Sequence, residues 1–399
     1  MGQFSFWLLI PLVFGLIVLF AAWRVLARGF FKKQVGRFFS ILMTDDYPES
    51  LLELYSAFTR AGGPIPVFEL NLRSEQGKVI ERPLGSPQAV PNLSKLRFDV
   101  AQVHILPTEG TTPVETSVVI GPKAEKPLYL STPIMVGGMA YGIALSEKAK
   151  IALAKGSALA GTSITSGSGP FLQVERDNAK YWILQYSRAF WAKEDQVLSQ
   201  ANAIEIPLGQ GSFAGLSHKT PAKDIDATLQ KAFPIPPGQE AVILARHAGV
   251  NKPEDFKTLI TSLRARAGGI PIGVKMACSK DLELDLEIIA EAGVDFINIS
   301  GSQGATYGSP PSIGDSFGLP TLFALVRAGQ FFEKNGLKGK ISLITGGGFT
   351  EPGEMLKALA LGADAVEIGS AALFAISHTE VLKAVPFEPP TQIVWYTGK

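Results

Sequence analysis

Cysteine is almost missing from this chain. Cys278 stands alone among 399 residues, which excludes an internal disulfide and leaves no cysteine set to hold zinc or an iron–sulfur cluster. Such usage fits a reducing compartment. Net charge is nearly missing too: 37 basic against 36 acidic side chains give +1, so a nucleic-acid partner has no electrostatic support. The four histidines, His104, His218, His247 and His378, are scattered without metal-ligand spacing, and no metal is expected. Neither GxGxxG nor GxxxxGK(S/T) follows any apolar run that reads as a strand, which argues against a resident dinucleotide site or P-loop.

A long apolar run is present at the amino terminus. Residues 6–23 (FWLLIPLVFGLIVLFAAW) carry no charge over 18 positions, enough to cross the hydrocarbon core of a bilayer. Arg24, Arg28, Lys32, Lys33 and Arg37 follow, with no acidic residue before Asp45, so the remainder is expected on the cytoplasmic side. No basic residue precedes the run, as a cleaved signal peptide would require. It reads as a single-pass anchor, residues 4–27, in an inner or plasma membrane.

Residues 28–130 form a mixed, proline-rich lead-in, expected to pack on the outside and bottom of the larger domain C-terminal to it. Within it, 47–61 reads as an amphipathic helix, 64–72 as a short strand and 92–103 as mixed. From 131 to 399 short apolar runs alternate with helical stretches, the pattern of parallel βα units. Strands are expected at 133–136, 162–165, 182–186, 203–208, 271–276, 296–300, 341–345 and 365–368, with a Ser-capped helix over 146–159. Eight such units predict an α/β fold of the (β/α)8, or TIM barrel, type. Nearly every expected strand ends in Gly or Ser, and the long inserts 166–182 and 210–239 fall on that same rim.

The stretch 340–373 (KISLITGGGFTEPGEMLKALALGADAVEIGSAAL) organises the rest. Its two strands end at Gly346-Gly347-Gly348 and at Gly369-Ser370, so bare backbone N–H groups and helix starts are presented together. That combination suits a phosphate. Lys275 lies inside the apolar run IGVKMA, where a lysine is unusual unless it faces a polar cavity. It could stabilise negative charge on a flavin ring, form a Schiff base, neutralise a substrate carboxylate, or extend to solvent. Gln210, between two glycines, could orient a planar ring edge or cap a loop, and Ser300 and Gly301 would lie under a ligand.

The runs PIMVGGMAYGIALSEKAKIALAKG, INISGSQGATYGSPPSIGDSFGLP and LITGGGFTEPGEMLKALALGADAVEIGSAAL closely resemble the FMN-binding synthase domain of glutamate synthases, in order and spacing, from about Pro133 to Leu373. The resemblance implies a barrel holding FMN. The backbone of Val136, Gly137, Gly138 and Met139 would lie against the flavin, and Ser166, Gln210 and Lys275 would meet its polar edge. Ser300 and Gly301 would adjoin the ribityl chain, with Gly346, Gly347, Gly348, Gly369 and Ser370 at the phosphate. Family chemistry is reductive amination of 2-oxoglutarate by hydride from flavin N5. Three departures stand out. Ser166-Gly167-Ser168-Gly169-Pro170 replaces the family's Gly-Glu-Gly-Gly; residues 374–378 lack the cysteines of a [3Fe-4S] centre, so no iron–sulfur cluster is expected; and no amidotransferase domain with a cysteine nucleophile is seen, so glutamine hydrolysis is not expected of this chain.

The expectation is therefore a membrane-anchored, FMN-dependent oxidoreductase acting on a small carboxylated substrate at a C–N or C=N centre, with Lys275 and Gln210 as catalytic residues and a separate electron donor. Alternatives are a non-catalytic FMN-binding or redox-sensing module, an N-methylglutamate-forming transferase subunit, and a Schiff-base lyase using Lys275.

Overall fold

The computed structural model describes residues 20, 22–24, 26–37, 40, 59, 63–77, 86, 88–304 and 309–376. The chain divides into two units, Met1–Ile80 and Glu81–Lys399. Most of the apolar run 6–23 lies outside the described residues, and so does 47–61 apart from Thr59. Among the described residues no helix is long and apolar enough to cross a membrane.

In the first unit, the strand expected over 64–72 is instead part of a helix, Pro64–Gln76. FELNL alternates apolar and polar side chains as a strand does, but a lone strand leaves its backbone groups unpaired, whereas a helix satisfies its own. The ends favour the helix as well. A proline starts it, where a fixed φ fits and no N–H is needed. Glu69 and Arg73 pair one turn apart at 3.3 Å. Gly77, at φ 61, closes it by donating its N–H to the Arg73 carbonyl at 2.9 Å.

The second unit opens with an antiparallel pair, β1 (Val118–Ile120) and β2 (Leu128–Leu130). The strands β3 (Ile134–Val136), β4 (Ser163–Thr165), β5 (Tyr181–Gln185) and β6 (Ala203–Pro207) come next. A second antiparallel pair, β7 (His218–Thr220) and β8 (Ala241–Ile243), lies within the insert after β6. Then come β9 (Ile272–Ala277), β10 (Phe296–Ser300), β11 (Ser342–Gly346) and β12 (Ala365–Ile368). Strands β3, β4, β5, β6, β9, β10, β11 and β12 close in chain order into a parallel eight-stranded barrel. All eight expected strands are there, none displaced by more than about one residue. The expected serine cap is present too: Ser146 Oγ accepts from the Ala149 N–H at 3.3 Å and opens the helix Glu147–Leu159.

Alternation along the strands builds the barrel in layers. Outward residues such as Trp182, Leu184, Ile204, Ile206, Val274, Ile297, Ile299 and Val366 join the large apolar core. Inward residues Met135, Ile183, Ala203, Phe296, Ile344 and Ala365 form a separate apolar plug with Ile120, Leu128 and Leu130 of the β1–β2 pair. That hairpin closes the end where the strands begin, tied by the Gly121 N–H to Ser342 Oγ at 3.0 Å. Two residues further along, the inward positions of five strands turn polar. They are Gln185, Glu205, Lys275, Asn298 and Glu367, all buried.

Candidate functional site

Above this polar layer the rim loops enclose a cavity of about 390 Å³. Its walls include Gly137 to Ala140 after β3, Gly347 to Thr350 after β11, and Gly369 with Ser370 after β12. Lys275, Glu367 and Gln185 form its floor, while Arg188, Gln210, Phe213, His218 and Ile243 line the side under the insert.

Of the residues singled out in the sequence, Gly137, Gly138, Met139, Gln210, Lys275, Ser300, Gly347, Gly348, Gly369 and Ser370 all line this one cavity. Val136 and Gly346 are the terminal residues of β3 and β11, one position before lining residues. Ser166 and Gly301 sit behind the wall. The Ser166 hydroxyl accepts from the Gln185 N–H at 2.9 Å and donates to the Gly167 carbonyl at 3.0 Å. The Gly301 carbonyl accepts from the Gly304 N–H at 2.8 Å.

Two helix starts follow the glycine loops, and they differ. The helix Pro352–Ala360 is capped by its own chain, with Glu354 Oε2 accepting from the Thr350 and Glu351 N–H groups at 3.3 and 3.4 Å. The helix opening at Ser370 has its first residue on the cavity wall. Gly347, Gly348 and the Gly369–Ser370 start thus line the cavity, whereas the start at Pro352 is closed by the reciprocal Glu351 and Glu354 caps.

Several site groups were not singled out from the sequence. Lys275 is ion-paired with Glu367 across the barrel lumen. Glu205 accepts from Gln185 Nε2 and Asn298 Nδ2, each at 2.8 Å, and Ser168 Oγ donates to Gln185 Oε1 at 2.7 Å. Burial works against the Lys275 charge, but the carboxylates of Glu367 and Glu205 outweigh it and hold its pKa above the ordinary value. Burial pushes Glu205 up. Behind the wall, Lys150 is fully buried against Glu175 at 2.7 Å and donates to the carbonyls of Met139 at 2.8 Å and Ser166 at 3.0 Å. It thereby fastens the loops after β3 and β4 to each other.

On the insert side, the Arg188 guanidinium donates to the carbonyls of Gly215 at 2.7 Å, Ala245 at 2.8 Å and Leu216 at 3.2 Å, fixing the base of the β7–β8 pair. Burial lowers its pKa to about 10. His247 stacks on Tyr186 with centroids 6.1 Å apart, and its Nε2 lies 3.1 Å from the Pro207 carbonyl. Burial first, then the charges of Lys193 and Arg188, push its pKa down to about 4. The unfolded chain takes up this proton near pH 6.5 and the folded protein does not. The group's contribution is thus complete above pH 6.5, falls by about 3 kcal/mol as the pH drops from 6.5 to 4, and is constant below. Urea titrations should show that slope in the wild type and a flatter one in His247→Phe.

The description "Conserved region in glutamate synthase" matches residues 88–383. The "Glutamate synthase large subunit-like protein" of Rhizobium meliloti (strain 1021) is 33% identical over 302 residues, 75% of this chain and 68% of that protein. The "Archaeal glutamate synthase [NADPH]" of Methanocaldococcus jannaschii is 33% identical over 250 residues, 62% of this chain and 49% of that protein. The "Archaeal-type glutamate synthase [NADPH]" of Dehalococcoides mccartyi is 29% identical over 336 residues, 78% of this chain and 66% of that protein. The chain thus spans about half to two thirds of the length of these curated relatives. With that match covering both the barrel and every lining residue of its cavity, the chain belongs to the glutamate synthase family.

Proposed function

We propose that this chain is an FMN-dependent oxidoreductase of the glutamate synthase type, exchanging hydride with the C=N or C–N carbon of a small carboxylated substrate akin to 2-oxoglutarate or glutamate. The observation that carries this reading is the meeting of the glycine loops after β11 and β12 with Lys275 in one cavity. The residues present fit the cofactor. No atom lies within 4 Å of where a Cβ on Gly369 would stand, and a cavity of about 390 Å³ lies within the range of cofactor sites. Bound FMN would supply the hydride chemistry at its N5.

The chain's own groups do the remainder. Gly347, Gly348, Gly369 and Ser370 hold the phosphate through backbone N–H groups. Gln210 and Gln185 orient the ring, and the apolar side chains of Phe213, Ile243 and Leu373 exclude water. Arg188 is a buried cation whose hydrogen bonds go to carbonyls, which favours negative charge on the substrate at that end. A Schiff-base lyase is disfavoured, because that chemistry needs a neutral amine and Lys275 is held charged by Glu367. The anchor over residues 6–23 and a separate electron donor belong to the same proposal. Carbonate extraction tests the anchor: release of the full-length chain into the supernatant would refute it.

Full-length protein in detergent is expected to hold about one FMN per chain through gel filtration and to show flavin absorbance. Anaerobic addition of carboxylated amines should then bleach it with the true substrate. Protein that stays colourless with added FMN overturns the reading. A bound flavin that dithionite reduces, but that no carboxylated amine reduces and no imino acid reoxidises, would favour the redox-sensing alternative.

A further inference from the structure

The ammonium of Lys275 is not a bare cation. It meets Glu367, on a strand separated from its own by β10 and β11, so the pair spans the lumen. Both side chains are buried, at 6% and 5% exposure, yet both line the cavity. Glu367 is held in place by tight packing: a Cβ on Gly137 would stand 3.0 Å from its Cδ, and one on Gly346 would stand 3.2 Å from its Oε2. A second carboxylate, Glu205, occupies the same layer. One ammonium therefore faces two carboxylates directly beneath the space assigned to the cofactor.

We propose that Glu367 is a positioning residue acting through Lys275: it cancels the lysine charge, so that the cofactor's polar edge rests on a neutral pair instead of a cation. This rests on the FMN reading above. Positive charge beside that edge favours added electrons and favours nucleophiles adding at N5. Cancelling it keeps the flavin potential low, a stronger reductant for an imine, and keeps affinity for the nucleophile sulfite weak.

The test uses full-length holoprotein with sulfite as the probe. Glu367→Gln preserves shape while removing the direct partner of the ammonium and one negative charge from the layer, with Glu205 left in place. Its sulfite dissociation constant is expected to fall about tenfold or more, and the midpoint potential to rise by about 30 mV, the equivalent of tenfold for a two-electron couple. FMN-loaded Glu367→Gln with wild-type sulfite affinity and potential would reduce Glu367 to a structural role and overturn the proposal. Should that variant fail to fold, Lys275→Met/Glu367→Gln compared with wild type decides, since neutralising both members of a buried pair is tolerated better than stranding one. With no lysine charge left to cancel, the double variant is expected to keep sulfite affinity within a few-fold of wild type; a loss of about tenfold or more would mean that the ammonium acts on the flavin uncancelled and would overturn the proposal. Wild type that takes up no FMN would instead bring down the cofactor reading itself.

Discussion

Lys150→Met is expected to cost about 3–5 kcal/mol of stability, the range for stranding one member of a buried ion pair. Position 150 looks like an ordinary helix lysine in SEKAKIALAKG, yet its side chain has no exposure and reaches back to Glu175, itself 2% exposed. Removing it leaves a carboxylate in a dry site and strips a donor from the carbonyls of Met139 and Ser166. Those carbonyls belong to loops that touch backbone to backbone. Gly167, at φ 76, lies where a Cβ would come within 2.6 Å of the Ala140 nitrogen. The loss should therefore spread to the cavity wall, so the variant should also release FMN faster. Lys150→Met/Glu175→Leu removes both charges and should regain most of the stability. Urea midpoints for the single and double variants check this: equal midpoints would mean that the pair is not what holds the loops.

The barrel was legible because its strands, buried on both faces, read as short continuous apolar runs ending in Gly or Ser. The helix Pro64–Gln76 is not legible in the same way: FELNL alternates over five residues, too short a window to separate a period of two from one of 3.6. In the site, Lys275 was found because a charge inside an apolar strand is conspicuous. The same test applies to WILQ, AIEIP, FINIS and AVEI, and it would have flagged Gln185, Glu205, Asn298 and Glu367. What no one-dimensional pattern offers is their register. Gln185 stands opposite Glu205, and Asn298 opposite Lys275, while Glu367 reaches Lys275 only because the sheet closes. Lys150 is hidden for another reason: an amphipathic helix can carry a lysine on its buried side when a carboxylate from the next βα unit awaits it.

Substituting two glycines of the cradle should weaken binding at both but cost stability at only one, and the contrast tests the phosphate site more sharply than either alone. Gly347 has φ 115, and a Cβ there would stand 2.7 Å from Thr321 Oγ1 and 3.0 Å from both the Gly301 oxygen and the Gly304 nitrogen. Gly347→Ala must strain the backbone and push on two others, so it should lower stability by about 1–3 kcal/mol. FMN affinity should fall by about ten- to a hundredfold with it. At Gly369 no atom lies within 4 Å of a Cβ, and φ is not positive. Gly369→Val should leave the ligand-free protein within about 0.5 kcal/mol of wild type. Its added methyl groups stand beside the helix start at Ser370, on the cavity wall, where a phosphate would need to come within hydrogen-bond distance. Binding should weaken at least about tenfold, or roughly 1.4 kcal/mol. Urea denaturation of ligand-free protein, paired with FMN fluorescence titration, separates the two effects. Gly369→Val with normal stability and undiminished affinity would place the phosphate elsewhere and remove the cradle from the site.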